Sequence, residues 1–324
     1  MTRRAIAALM TAVAALALAA CGSSTSIPAP NETGGFPVTL TDAMGQVTIP
    51  TQPVRIAALD ASYVDAAIAL EAPVVAYTAY RGITGTLPAY LGPDARKYGK
   101  DAQPVGELGN PSLERIAALR PDLIVSAKVR HENVYPQLKG IAPTVFSETT
   151  GPTWKDNIRL LGKALGRPEM ADRKIAAYEQ RALRIGDAVR AKLGRNPTVS
   201  IVRFAGEQTV RLYSATSYSG IVIGDLGFAL NPTAAAVPAG KISADLSQER
   251  ISDLDADYLY VATWRDEKGD SAKQQATFQA NPLWGKLTGK IQSVDDLTWM
   301  TAVGLQGANV ILDDIATTFG VPRD

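Results

Sequence analysis

The sequence predicts an α/β fold: two Rossmann-like lobes joined by one long rigid helix, facing each other across a cleft. Three observations predict it. Short apolar runs of strand length alternate with segments of helical spacing along most of the chain, the pattern of a helix-covered, largely parallel sheet. The phrase "SLERIAALRPDLIVSA" (112–127) returns as "SQERISDLDADYLYVA" (247–262), with seven of sixteen positions identical. Between the copies, "PEMADRKIAAYEQRALRIGDAVRAKLG" opens with Pro168 in the first-turn position and carries Ile175, Tyr178, Ala182, Ile185, Val189 and Leu193 at spacings of three and four. From 168 to 193 that is a single helix about 39 Å long.

The elements follow in order. Residues 1–20 are a leader: basic "MTRR", an apolar "AIAALMTAVAALALAA" too short to span a bilayer, and "LAAC" closing at Cys21. This is the pattern of a bacterial lipobox, with Cys21 the lipidated residue. Cys21 is the only cysteine, so the mature chain has no intramolecular disulfide and no thiolate metal cluster. Residues 21–35, small, polar and Pro-containing, read as a flexible tether.

The N-terminal lobe, residues 36–166, begins with "FPVTLTDAMGQVTIP", a hairpin turning at Ala43-Met44-Gly45. It continues through strands "VRIAALD", "PVVAYT", "DLIVSA" and "PTVFS", with helices "SYVDAAIALEA" and "NVYPQLKGI" and the first copy of the repeat among them. The connecting helix occupies 167–194. The C-terminal lobe, 195–324, resumes with strands "TVSIVRF" and "TVRLYS", helical "SGIVIGDLG", the second copy, helical "AKQQATFQANPLWGKL", strand "IQSVDD" and a closing amphipathic "AVGLQGANVILDDIATTF".

The chain of 324 residues carries a formal net charge of +1, and the two leader arginines account for the excess, which argues against a nucleic-acid partner. Enzyme signatures are missing: no G-x-S-x-G elbow, H-E-x-x-H, P-loop or G-x-G-x-x-G. A catalytic triad would have to use His131, the single histidine. One histidine also argues against a bare zinc site, which needs several imidazole and carboxylate ligands. A non-enzymatic binding protein without a cofactor is expected.

Ligands of open α/β sheets bind beyond the carboxyl ends of the strands. That rule selects Ser62, Tyr63, Tyr80, Arg81, Lys128, Arg130 and His131 in the first lobe. In the second it selects Arg203, Tyr213, Ser217, Tyr218, Trp264, Arg265 and Trp299, while Trp284 reads as core. Guanidinium forks suit anionic oxygens and aromatic faces suit flat organic surface. The ligand-binding set expected from this list is Tyr63, Arg81, Lys128, Arg130, Arg203, Tyr213, Tyr218, Trp264 and Trp299.

Taken in order behind the lipobox, "DAMGQVTIPTQPVRIAAL", "GELGNPSLERIAALRPDLIVSA", "LGKALGR", "GIVIGDLGF", "SQERISDLDADYLYVA" and "NPLWGKL" resemble the ABC-importer substrate-binding lipoproteins for ferric siderophores, haem and cobalamin. The resemblance implies a monomer, lipid-anchored on the outer face of the cytoplasmic membrane, that delivers a ferric siderophore to an ABC permease dimer. The iron would be held by its chelator, so no protein metal ligand is implied. It also implies that Glu114 and Glu249, at matching places in the repeat, dock on the permease. Their other reading is the ordinary preference of a helix start for a carboxylate. Haem, with His131 as axial ligand, cobalamin, a secreted esterase and a scaffold lipoprotein without transport are the alternatives.

Overall fold

A computed structural model describes residues 35–81 and 83–324. The leader, the lipobox at Cys21 and nearly all of the tether lie outside the described residues.

The chain enters through the predicted hairpin, β1 (Val38–Asp42) antiparallel to β2 (Gly45–Ile49). Asp42 builds its turn by accepting Met44 N–H at 2.7 Å and docks the hairpin by accepting Phe146 N–H at 2.7 Å. The first main sheet comprises β3 (Ile56–Ala58), β4 (Val74–Ala79), β5 (Gln103–Glu107), β6 (Asn110–Pro111), β7 (Leu123–Ala127) and β8 (Thr144–Ser147), in the order β6-β5-β4-β3-β7-β8. All neighbours are parallel except β5 and β6. The central strands β3, β4 and β7 are buried along their whole length, as a sheet covered on both faces requires.

The second sheet comprises β9 (Thr198–Phe204), β10 (Val210–Tyr213), β11 (Ala229–Leu230), β12 (Ser243–Leu246), β13 (Tyr258–Thr263) and β14 (Lys290–Val294). Its order is β12-β10-β9-β13-β14, with β11 on β9. Here the parallel expectation fails in part, because β10 runs antiparallel to both β9 and β12. The five residues between β9 and β10 are too few for a crossover, so the chain can only turn back on itself.

The predicted linking helix is Pro168–Leu193, buried along Ala171, Ile175, Tyr178, Ala182, Ile185 and Val189. It ends where Gly194 takes φ +68°, a left-handed cap that costs glycine nothing. Gly186 has a steric role: a Cβ there would sit 1.9 Å from the Leu226 carbonyl oxygen, so the helix could not lie this close to the second lobe with any larger residue. The predicted helix 272–287 is shorter than expected. It runs over Asp270–Ala280 and stops before Pro282, leaving Trp284–Lys286 as a separate 3₁₀ turn against which Phe204 packs.

Both copies of the repeat use one carboxylate in the same way. Asp122, just before β7, accepts the N–H groups of Val54 and Arg55 at 2.9 Å each, at the entry to neighbouring β3. Asp257, just before β13, accepts Thr198 N–H at 2.7 Å at the start of neighbouring β9 and forms a bidentate pair with Arg195 at 2.6 and 2.8 Å. A strand's first N–H has no ladder partner, and the repeated aspartate supplies one. Ile116 and Ile251 are buried beneath the two copies, on the outer face of their respective sheets.

The inner faces share one apolar core, which includes Tyr63 and Ile68 from the first lobe, Tyr178 from the linking helix, Tyr260 from the second lobe and Ile311 from the C-terminal helix, Leu305–Phe319. Asp65, fully buried in the Ala61–Ala69 helix, accepts the N–H groups of Gln306 and Gly307 at 3.0 Å each, so the first lobe caps the last helix of the chain. Burial pushes the Asp65 carboxyl up to about 7, against the downward pull of those backbone bonds.

Candidate functional site

The carboxyl ends of β4 and β5 in the first lobe face those of β9 and β13 in the second across a cleft of about 580 Å³. Tyr80, Arg81, Thr84 and Glu107 line one side; Ala205, Gly206, Trp264, Arg265 and the 266–270 loop line the other. This is within the ordinary size of a small-molecule site.

Arg81 stands at the centre. It follows β4 in a tight turn closed by reciprocal backbone bonds between Tyr80 and Ile83, both 2.9 Å, and holds φ at +29°. Its guanidinium lies 4.6 Å from the Trp264 ring across the cleft and 5.6 Å from that of Tyr80 beside it. Among the described residues Nη1 is buried without a hydrogen-bond partner, and Arg81 makes no ion pair. Arg130 approaches the same Tyr80 ring at 5.9 Å while its Nε donates to Asp60 at 2.9 Å. Asp60 is fixed in turn as the cap of the Ala61–Ala69 helix, accepting Ser62 N–H at 3.0 Å and the Ser62 hydroxyl at 2.7 Å. Lys128 is paired with Glu148 at 3.3 Å.

Several residues selected by the strand-end rule do not reach the cleft. Tyr63 is fully buried within the shared core, and burial pushes its phenol up. Tyr218 is buried too, donating to the Gly304 carbonyl at 2.8 Å. Trp299 stacks on Tyr260 with ring centres 4.7 Å apart and donates its indole N–H to Asp314 at 2.8 Å. Ser217 caps the Tyr218–Asp225 helix. Arg203 is 4% exposed and gives Nε and Nη2 to Asp296 at 2.6 and 2.7 Å, with Nη1 3.4 Å from the buried Tyr213 hydroxyl. The rule locates the end of a strand; it does not say which face of the following turn a side chain takes.

His131 is corrected as well. It is 1% exposed, donates from Nε2 to the Leu108 carbonyl at 2.6 Å and accepts the Ser126 hydroxyl at Nδ1 at 2.7 Å. Burial holds its pKa below the usual histidine value. With both nitrogens engaged it is a structural residue, not an axial ligand. Among the described residues no group of three or more His, Cys, Asp or Glu is placed to hold a metal ion.

The lining residues missed are Thr84, Glu107, Ala205 and Gly206 and, in the loop that follows Arg265, Asp266, Glu267, Lys268 and Asp270. Asp266 accepts the N–H groups of Asp270 and Ser271 at 2.7 and 2.8 Å, which holds its carboxyl down at about 2 and anchors the loop on the start of the Asp270–Ala280 helix. The acidic turn "DEKGD" ahead of helical spacing is the signal that could have found it. Glu114 and Glu249 are both exposed in the first turn of their elements, and the Ser247 side chain draws the Glu249 carboxyl below its usual range.

A sequence model of the periplasmic binding protein family matches residues 56–289. The chain belongs to this family. It is 35% identical over 322 residues to a probable siderophore-binding lipoprotein, YfiY, of Bacillus subtilis (strain 168), covering 95% of each chain. It is 28% identical over 295 residues to the Fe(3+) dicitrate-binding periplasmic protein FecB of Escherichia coli (strain K12), covering 88% of this chain and 91% of that one. Among solved structures, Staphylococcus aureus SirA complexed with staphyloferrin B superposes with a TM-score of 0.79 at 28% identity, covering 88% of this chain and 99% of SirA. The relatives of this periplasmic binding protein are named as binding proteins, not as enzymes.

Proposed function

We propose that this chain is an extracytoplasmic, lipid-anchored solute-binding protein that captures a ferric siderophore and delivers it to an ABC permease. The observation that carries the reading is the cleft: strand ends from two lobes converge on a guanidinium with an unpartnered buried donor, in a chain whose relatives are named for siderophores and ferric citrate. Iron would be held by its chelator, with the cations and aromatic rings of the cleft, Arg81, Arg265, Tyr80 and Trp264, meeting the organic part of the complex. Arg81, Arg130 and Trp264 are the ligand contacts this reading favours, with Lys128 at the periphery. The engaged nitrogens of His131 argue against haem held by an axial histidine, and cobalamin stays as the second ligand class. Cys21 would carry the lipid; among the described residues no helix is long and apolar enough to cross a membrane. The protein would act as a monomer, and exposed Glu114 and Glu249 would meet arginines on the two halves of the permease through charge-assisted pairs.

The test is equilibrium dialysis of the full-length protein in detergent against a panel of siderophores with and without ferric iron, haemin and cobalamin. Sub-micromolar retention of a ferric complex, with the iron-free chelator bound weakly, is the expected result. Retention of haemin or cobalamin alone would replace the siderophore, and a blank panel would leave a scaffold lipoprotein.

A further inference from the structure

Resting on the siderophore-capture reading above, we infer that His131, the single histidine, is a positioning residue for the ligand. It is buried from any guest and acts through the cleft wall that carries Tyr80, Arg81 and Glu107, which its imidazole ties together from beneath.

In the first sheet β5 and β7 are not neighbours; β4 and β3 lie between them. His131 bridges that gap. It is the last residue of the short helix Lys128–His131, which follows β7, and its ring turns back so that Nδ1 accepts the Ser126 hydroxyl from within β7 at 2.7 Å. From its other side Nε2 donates at 2.6 Å to the carbonyl of Leu108, the residue just after β5. Leu108 continues the line, its N–H donating at 2.8 Å to the Ala79 carbonyl at the end of β4. Ala79 leads into Tyr80 and Arg81, and Leu108 follows Glu107, so three lining residues of the cleft hang on this one line of bonds. The adjacent Arg130 works in the same direction: its Nε donates to Asp60, just after β3, at 2.9 Å. Neighbouring residues of one short helix thus hold the ends of β3 and β5.

The imidazole is fitted to both partners at once. A carbonyl oxygen only accepts, so Nε2 carries the ring proton and Nδ1 is left to accept from Ser126, an arrangement open to the neutral ring alone. Burial, assisted by the charge of Arg130 and opposed by the Leu108 bond and Asp60, favours that neutral form. Leu108 belongs to no apolar core cluster among the described residues, so its two hydrogen bonds are what hold the segment. Ser126, His131 and Leu108 are all buried, and a buried carbonyl deprived of its donor is costly. Without the imidazole the Leu108 segment has to shift toward water, and the wall of the cleft shifts with it.

The experiment compares ligand affinities of full-length wild type, His131→Phe, His131→Gln and His131→Asn in detergent by tryptophan fluorescence. The probe is whichever of ferric dicitrate, a ferric tris-catecholate and a ferric trihydroxamate wild type binds most tightly, and thermal melts establish that each variant is folded at the assay temperature. His131→Phe keeps a ring but removes both hydrogen bonds and should weaken binding at least about tenfold. His131→Gln brings an amide N–H near the place of Nε2 and should return affinity to within about threefold of wild type, whereas His131→Asn, which reaches only to the place of Nδ1, should not. Nitrogen NMR of the single histidine should show the ring proton on Nε2. Wild-type affinity in folded His131→Phe, equal affinities of His131→Gln and His131→Asn, or a ring proton on Nδ1 overturns the positioning role and leaves siderophore capture standing. If His131→Phe does not fold, the difference between His131→Gln and His131→Asn decides alone. A wild type that binds none of the three probes overturns the capture reading and this inference with it.

Discussion

Two arginines near the ends of cleft-facing strands are treated in opposite ways by the two lobes. Arg203, in β9, is buried and holds Asp296 with two short bonds. Arg81, just past β4, has no carboxylate and lies against aromatic rings on both sides of the cleft. The sequence setting of the two is alike, an arginine closing an apolar run. What separates them is the element next to each strand end. Asp296, which meets Arg203, comes from the segment after β14, whereas nothing acidic among the described residues pairs with Arg81. The charge of one arginine is neutralised within the fold, and that of the other has no carboxylate partner among the described residues.

The sharpest way to break this comparison is to remove one partner in the second lobe. Asp296→Ala leaves the buried Arg203 guanidinium uncompensated and is expected to cost about 3–5 kcal/mol of stability, read as a lowered thermal midpoint, whereas Arg81→Gln, which removes a buried donor that has no partner among the described residues, should not lower the midpoint. The paired change Arg203→Met with Asp296→Leu should recover most of the loss, because well-packed apolar side chains of similar volume replace a buried ion pair at little cost. A midpoint insensitive to Asp296→Ala would mean that the two arginines are equivalent after all.

The lobes are also joined by a titrating group, Asp65, and here the sign can be worked out. Its carboxyl is raised by burial to about 7 in the folded protein, above its value of 3.8 in the unfolded chain. Between those values the folded form keeps a proton that the unfolded form has released, so stability is greatest at low pH and declines as pH rises toward 7. The full decline amounts to about 4 kcal/mol if no other group compensates. Tyr90 and Tyr218 share the electrostatic environment of Asp65, and both phenols are raised mainly by burial. Thermal midpoints measured from pH 4.5 to 8 should flatten in Asp65→Asn relative to wild type; an unchanged slope would remove Asp65 as the cause.

A third test compares the exposed tips. With Glu114→Ala and Glu249→Ala together, uptake of ferric chelate by cells should be lost while ligand affinity and melting of the purified protein stay as in wild type. Normal uptake would return both residues to the role of helix-start carboxylates. The smallest effect concerns the contact across the cleft: Trp264→Leu removes one face from the Arg81 guanidinium and should weaken ligand binding by about 0.5–2 kcal/mol, seen in dialysis, with Arg81 still required.

Much of this architecture is legible in the sequence. The 3.6-residue spacing along the linking helix reports its buried stripe directly, because a helix buried on one side must repeat its apolar residues with the turn. The repeat at 112–127 and 247–262 located corresponding parts of the lobes. Its aspartates, Asp122 and Asp257, proved to be the members with a shared structural duty, which spacing could not reveal because their partners, Val54, Arg55 and Thr198, lie 68, 67 and 59 residues away. The strand-end rule selects Arg81 and Trp264, which line the cleft, and Arg130, which lies against Tyr80, together with Tyr63, Tyr218 and Trp299, which belong to the core.

Local chemistry in the sequence was enough to determine the class of fold, the linking helix, the hairpin and the residue types available at the strand ends, since each depends on periodicity, turn residues or composition within a short window. Only the tertiary structure decided which of those side chains are still available. Whether an arginine is paired, a tryptophan packed or the single histidine engaged depends on groups brought together from distant segments: Asp296 for Arg203, Asp314 for Trp299, Leu108 for His131, and Trp264 for Arg81. Neutralisation and burial are properties of neighbours in space, and the pattern along the chain records only neighbours in sequence.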